Sequence, residues 1–221
     1  MAAAHASDPV GGEPRTAGAT LHHARRYDVC SWLFGLGVDS RNSRMIVDMA
    51  GIEPEDHVLD VGCGTGDLTL TAAKRVGESG SVRGIDASPE MIEVARRSAG
   101  RRGSRATFEV ALIEELPYGD STFDVVMNRL MMHHLPEDLK RKGFAEVLRV
   151  LKPGGLLLAT DFTRPSGGIP HVVFALVNHQ MMQSADLSAI PGMLSEAGFV
   201  DVASGPTRSA FLGFVSGRRP Q

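Results

Sequence analysis

Cysteine is scarce in this 221-residue chain, Cys30 and Cys63 being the only two. Two thiols far apart make neither a disulfide framework nor a zinc site, which suits a reduced compartment. A charge excess of one sign is also missing, the formal net charge being −3. A dedicated nucleic-acid binder usually carries a basic face, so no nucleic-acid partner is expected. The densest basic run, Ala95 to Arg105, reads as the solvated face of a helix. No apolar run approaches the roughly 20 residues needed to span a bilayer. The opening MAAAHASDPVGGEPRTAGAT lacks a basic start followed by an apolar core, so no secretory leader is expected and a cytoplasmic location is. No internal repeat recurs at a fixed period.

What is present is ordinary for a globular chain, with 43% hydrophobic and 22% charged residues. The length suits one α/β domain. Residues 1–20, rich in Ala, Gly and Pro, are expected to form a disordered arm. Residues 21–51 read as a helical N-terminal lid broken at Gly35 and Gly37. There Met45, Ile46 and Met49 recur at helical spacing, with Gly51 as a stop. Residues 52–221 form the main domain, with a cover segment at about 163–187.

Within that domain, apolar runs of strand length alternate with helical patterns. The strands are His57–Val61, Val82–Asp86, Thr107–Val110, Val125–Asn128, Leu156–Asp161, Val200–Ala203 and Ala210–Val215. Ser88 followed by Pro89 opens a helix. Leu139, Phe144, Val147, Leu148 and Leu151 lie on one face of another, which is expected to stop at Pro153-Gly154-Gly155. This alternation predicts a doubly wound α/β fold, a mostly parallel seven-stranded sheet with helices on both faces. The last two strands are joined without a helix and are expected to make an antiparallel edge hairpin.

Gly62-Cys63-Gly64-Thr65-Gly66 follows the first strand, where open α/β sheets bind ligands. No Gly-Lys-Ser/Thr follows, which excludes a phosphate loop. A dinucleotide fingerprint needs its third glycine one residue later. Asp60 and Asp67 flank the turn and would repel a pyrophosphate while suiting a cationic ligand. Asp86 lies 20 residues beyond Gly66, where a carboxylate accepts hydrogen bonds from ribose hydroxyls. A ribose, a positive amine and no phosphate describe S-adenosylmethionine.

VLDVGCGTG, GIDASPEMIEVAR, LPYGDSTFDVVM, HHLP and EVLRVLKPGGLLLATDF resemble, in order, the signature of class I S-adenosylmethionine-dependent methyltransferases of the methyltransferase-11/25 type. The resemblance runs from roughly Tyr27 to Arg218. RRYDVCSWLFGLG is similar to the ubiquinone/menaquinone biosynthesis methyltransferase branch. The resemblance implies a Rossmann-like fold, S-adenosyl-L-methionine as cofactor and S-adenosyl-L-homocysteine as product. It implies that Gly62, Cys63, Gly64 and Gly66 line the methionine moiety, that Asp60 holds its amine, and that Asp86 takes the ribose. Ala87, Met91, Leu112 and Ile113 then surround the adenine. Leu112 stands where the pattern G-D-A-E-x-L-P has an Asp, leaving the Ile113 backbone and apolar packing to hold the ring. Tyr27, Asn128, Arg129 and His133 complete the cofactor contacts.

Methyl transfer asks the protein chiefly to align a nucleophile and exclude water. A base is needed only for a protonated acceptor. His133 and His134 follow the fourth strand and are the candidate bases, although one of them can instead cap the next helix. Tyr27, the third candidate catalytic residue, can close over the methionine end or simply pack within its helix. Asp161 can also face the pocket. Leu130 after Arg129 breaks the N/D-P-P-Y motif of methyltransferases acting on adenine. Adjacent histidines without a carboxylate cluster supply no metal site. Val172 to Val177, with Met181 and Met182, suggest a small apolar or aromatic acceptor, or else a core or dimer contact. Two other readings are open. One is phospholipid head-group N-methylation, with peripheral membrane contact through Arg25, Arg26, Arg101 and Arg102. The other is a non-catalytic cofactor-binding protein. A monomer and a homodimer are both compatible with the sequence.

Overall fold

The computed structural model describes residues 38–163, 187–209 and 212–221. The expected arm, Tyr27, Arg25, Arg26 and all but the two ends of the cover segment lie outside the described residues. Seven strands form one sheet: β1 His57–Val61, β2 Ser81–Asp86, β3 Thr107–Val110, β4 Phe123–Arg129, β5 Leu151–Phe162, β6 Val200–Pro206 and β7 Leu212–Arg218. Their spatial order is β3-β2-β1-β4-β5-β7-β6. Neighbours from β3 through to β5 pair in parallel. Only β7 runs against the rest, pairing antiparallel with both β5 and β6, so the expected hairpin ends the sheet. The strand order reverses between β1 and β4, and the crevice beyond their carboxyl ends is the ligand position of such sheets.

Among the described residues five helices flank the sheet: α1 Val38–Met49, α2 Asp67–Val76, α3 Pro89–Arg102, α4 Glu137–Val150 and α5 Ile190–Ala197. Successive strand residues point to opposite faces, so Leu59 and Val58 serve different cores. Leu59, Val126 and Leu157 pack against Phe144 and Val147 of α4 and Leu194 of α5. Val58, Met127 and Leu158 pack against Ile46 of α1 and Leu68 and Ala72 of α2. Each fully buried aliphatic side chain contributes roughly 1.5–3 kcal/mol. Residues 38–51 of the segment read as a lid therefore hold a core helix. Its buried side includes Ser43, Ile46 and Val47, whereas Met49 is 36% exposed.

Local signals account for the helix ends. The Ser88 hydroxyl accepts from the Met91 N–H at 3.3 Å, with Pro89 behind it, and Gly103 at φ 59° closes α3. The other helix differs from its expected end. It stops at Val150, because Leu151 adopts an extended conformation and opens β5 opposite Phe123. Leu151 is fully buried there, so its apolar character continued the helical pattern without continuing the helix. Among the described residues no helix is long and apolar enough to cross a membrane.

Candidate functional site

The turn after β1 is fastened to β2. Gly62 and Cys63 both donate their N–H to the Ile85 carbonyl at 2.8 Å, and Gly66 donates to Cys63 at 2.9 Å. Gly66 sits at φ 86°, and a Cβ there would lie 2.9 Å from the Phe108 ring and 3.1 Å from Ala95. A Cβ on Gly62 would run into Met131. Those two glycines serve packing. A Cβ on Gly64 would meet nothing within 4 Å, so its backbone alone leaves room for a ligand.

Asp86 reaches back across this turn. Its Oδ2 accepts from the Gly64 N–H at 2.9 Å and its Oδ1 from the Ser88 N–H at 2.9 Å. Burial raises its carboxyl above the usual range, and the two backbone donors counter that. Asp60 is 1% exposed. Its Oδ2 accepts from the Thr69 hydroxyl at 2.6 Å, whereas Oδ1 is buried with no partner among the described residues. Burial pushes Asp60 up to about 6, against the pull of Thr69 and Arg129. An orphaned carboxylate oxygen out of water is stabilised by a cation. That observation fits the ammonium of S-adenosylmethionine.

The remaining donor-side residues divide between pocket and core. The Cys63 thiol is a free, buried group among Leu70, Ile92, Ala95, Ala99 and Phe108, and burial holds its pKa well above the ordinary value. Its thiol donates to the Gly64 carbonyl of the turn at 3.8 Å. Asp67 accepts from Ser43 at 2.6 Å and lies 3.8 Å from Arg102, so it is engaged by α1 and α3. Met91 is buried and Ala87 half-buried. Ile113 turns into the core above Gly143, where a Cβ would sit 2.8 Å from it. Leu112 is half-buried and bridges to Glu115.

The other side of the crevice starts at Asn128, which ends the buried part of β4 and has an Oδ1 without a partner among the described residues. Arg129 donates to the Ser43 hydroxyl at 3.0 Å. Leu130 then takes φ 57°, a conformation costing a non-glycine residue roughly 1–2 kcal/mol. Its N–H donates to the Thr160 carbonyl of β5 at 2.8 Å. Such outliers cluster at functional sites. The strained turn delivers the short helix Met132–His134 onto β5.

There the His133 Nδ1 lies 2.7 Å from Asp161 Oδ1, and the His133 N–H donates to Asp161 Oδ2 at 3.0 Å. The side chains are 4% and 1% exposed. His133 Nε2 is buried and has no partner among the described residues. The His134 ring lies 3.9 Å from that of His133. Burial lowers the His134 pKa, His133 lowers it further, and Asp161 opposes both.

Sequence reasoning missed Thr69 as the partner of Asp60, Ser43 as the link between Asp67 and Arg129, and the pairing of His133 with Asp161. A weak signal existed for Thr69, a lone hydroxyl between Leu68 and Leu70 on a buried helix start. Arg101 donates to Ser98 at 3.2 Å, and Arg102 faces Asp67, so both basic residues have internal contacts. Among the described residues no group of three or more metal-ligating side chains gathers.

Comparison with known proteins supplies the context. A family described as a methyltransferase domain matches residues 58–155. The chain is 39% identical over 145 residues to a ubiquinone/menaquinone biosynthesis C-methyltransferase from a Geobacter species, covering 65% of this chain and 61% of that protein. A protein of the same description from Azotobacter vinelandii is 32% identical over 182 residues, covering 81% of this chain and 71% of that one. The chain thus spans about three fifths of the length of the Geobacter relative. A crystal structure of a SAM dependent methyltransferase from Aquifex aeolicus superposes with a TM-score of 0.68 at 22% identity. It covers 89% of this chain and 96% of the other, a likeness of fold.

Proposed function

Since this chain belongs to the class I S-adenosylmethionine-dependent methyltransferases, near their ubiquinone/menaquinone C-methyltransferase branch, we propose that it methylates a small aromatic or apolar acceptor. The observation that carries this reading is the orphaned Oδ1 of Asp60 beside the open Gly64 turn. A cationic amine there supplies a partner to a carboxylate whose charged form burial disfavours.

The rest of the cofactor follows from acceptor capacity. Each carboxylate oxygen has about two lone-pair sites, and each Asp86 oxygen accepts from one backbone N–H, that of Gly64 or Ser88. The remaining sites take the two ribose hydroxyls. Leu112 and the Ile113 backbone hold the adenine, with Ala87 and Met91 beside them. When bound, S-adenosylmethionine supplies a methyl group made electrophilic by its positive sulfur. Asn128, Arg129, His133 and His134 stand at the carboxyl end of β4, where they orient the acceptor and exclude water. The named relatives act on carbon in quinone biosynthesis, which favours an aromatic ring and C-methylation over lipid head-group chemistry.

The test is calorimetry with S-adenosylmethionine and S-adenosylhomocysteine. Wild type should bind both. Asp86→Ala removes two charge-assisted hydrogen bonds of roughly 1.5–3 kcal/mol each, so affinity should fall about 100-fold or more. Absence of binding to wild type overturns the reading. A turnover screen over quinols, phenols, amines and phospholipids then identifies the acceptor, and cofactor binding without turnover on any class supports the non-catalytic alternative.

A further inference from the structure

The carboxylate of Asp161 is gripped from two sides. Its Oδ2 accepts from the His133 N–H at 3.0 Å and its Oδ1 from the Phe162 N–H at 2.7 Å, which fixes its plane before the imidazole is considered. The same Oδ1 faces His133 Nδ1 at 2.7 Å. We propose that Asp161 is a positioning residue that holds His133 as a base with its bare Nε2 toward the acceptor, and that the acceptor is a hydroxylated ring that must lose a proton. The acceptor part rests on the methyltransferase reading, whereas the tautomer rests on this geometry alone.

An ionised carboxylate only accepts hydrogen bonds, so the proton it shares with a neutral imidazole sits on Nδ1. Nε2 is then the free acceptor. It is buried, and a buried nitrogen without a donor is destabilising by roughly 1–3 kcal/mol. A ligand hydroxyl removes that penalty. Asn128 Oδ1 is a second buried acceptor without a partner among the described residues. Asn128 is in register with Ala159, two residues before Asp161, so both side chains leave the same face of adjacent strands. Two such acceptors select a ligand that brings donors. A tertiary amine or a thioether brings none, and a carboxylate or phosphate adds repulsion.

During transfer, the acceptor O–H proton passes to Nε2. The freed electron pair, on the ring oxygen or a conjugated carbon, forms the bond to the methyl carbon as the sulfur–methyl bond breaks with its pair returning to sulfur. After attack through carbon, loss of the ring C–H proton and return of one proton to oxygen restore the aromatic ring. The imidazolium is stabilised by the Asp161 carboxylate and gives its proton to water.

The test begins with long-range nitrogen–proton NMR on the full chain carrying labelled histidine, His133 being assigned by comparison with His133→Gln. Wild type should show a protonated Nδ1 and a bare Nε2, and the opposite tautomer overturns the proposal whatever the variants do. In Asp161→Ala the proton should move toward Nε2, the preferred site of a free imidazole. Hydroquinone methylation should fall about 100-fold or more, within the range of a lost general base. Affinity for S-adenosylhomocysteine should stay within about twofold. If Asp161→Ala does not fold, Asp161→Asn removes the charge and leaves one acceptor oxygen for the three donors that face Asp161. Turnover should then be lost. Wild-type turnover in either variant, or methylation of N,N-dimethylaniline in preference to hydroquinone, overturns the assignment. Failure of wild type to bind S-adenosylhomocysteine removes the methyltransferase reading and leaves the tautomer result standing.

Discussion

On the β1 and β2 side of the crevice, the functional atoms are held by partners close at hand. Asp60 takes its bond from Thr69, nine residues on, and Asp86 takes one from Ser88, two residues on. On the β4 and β5 side, the imidazole of His133 depends on a carboxylate 28 residues away. The first side is one strand–turn–helix unit with a carboxylate reaching in from the next strand. The second has no such local anchor, because His133 meets its partner only once β4 and β5 have paired. A binding site for an invariant cofactor can be encoded locally, whereas the acceptor side is assembled by tertiary structure.

The sharpest way to break this contrast is at the glycines. Gly66→Ala forces a left-handed conformation on a residue whose Cβ would lie 2.9 Å from the Phe108 ring. Backbone strain and overpacking together should destabilise the fold by about 2–5 kcal/mol in chemical denaturation. Gly64→Ala carries the strain without the clash, so it should cost about 1–2 kcal/mol of stability and act chiefly on cofactor affinity. Equal stability losses in the two variants would mean that the turn is structural throughout.

Asp60 gives the next largest effect. Its pKa rises from 3.8 to about 6 on folding, roughly two units, so the folded state binds the proton more tightly than the unfolded chain. Stability therefore falls as pH rises from about 4 to 6, by about 3 kcal/mol in total, and stays low above that. Asp60→Asn should lack this fall when the two denaturation profiles are compared across pH. Cofactor affinity runs the other way. The amine needs the ionised carboxylate, so wild-type affinity should be about tenfold weaker at pH 5 than at pH 7, and Asp60→Asn should show no such slope.

The strands were legible because apolar runs of the right length bounded by polar turns leave few alternatives, and β1 and β3 fall within the ends that the pattern set. The start of β5 was not legible, since a buried Leu151 satisfies a helical face as well as a strand. The glycine turn, Asp60 and Asp86 stood out because their chemistry is written in neighbouring letters. The sequence could not say that Gly62 and Gly66 serve packing or that the Cys63 side chain faces the core, because both depend on what α3 and β3 bring against the turn. His133 and His134 were equivalent as letters. Asp161 gives His133 a fixed partner, whereas burial, with His133 beside it, makes His134 harder to protonate.

Thr69→Val probes the local logic more gently. The valine keeps the shape but removes the hydroxyl that donates to the Asp60 carboxylate at 2.6 Å. A lost bond to a charged group should destabilise the protein by about 1.5–3 kcal/mol at pH 7. Near pH 4, where Asp60 is protonated in the folded state, the loss should shrink to about 1 kcal/mol. A pH-independent loss would show that Thr69 acts through helix packing and not through the carboxylate.

The smallest effect is expected at the rim. Arg102 lies 3.8 Å from Asp67, but its side chain is 49% exposed and Asp67 keeps its shorter bond from Ser43. An exposed pair of this kind contributes about 0–1 kcal/mol. Arg102→Ala should therefore change the denaturation midpoint little and leave S-adenosylhomocysteine affinity within about twofold. If affinity instead dropped tenfold, the donor side would have to include α3 and its charge, and the cofactor site would no longer be a local unit. Loss of binding to anionic vesicles in the same variant would favour the lipid reading, since about half of the Arg102 side chain is exposed.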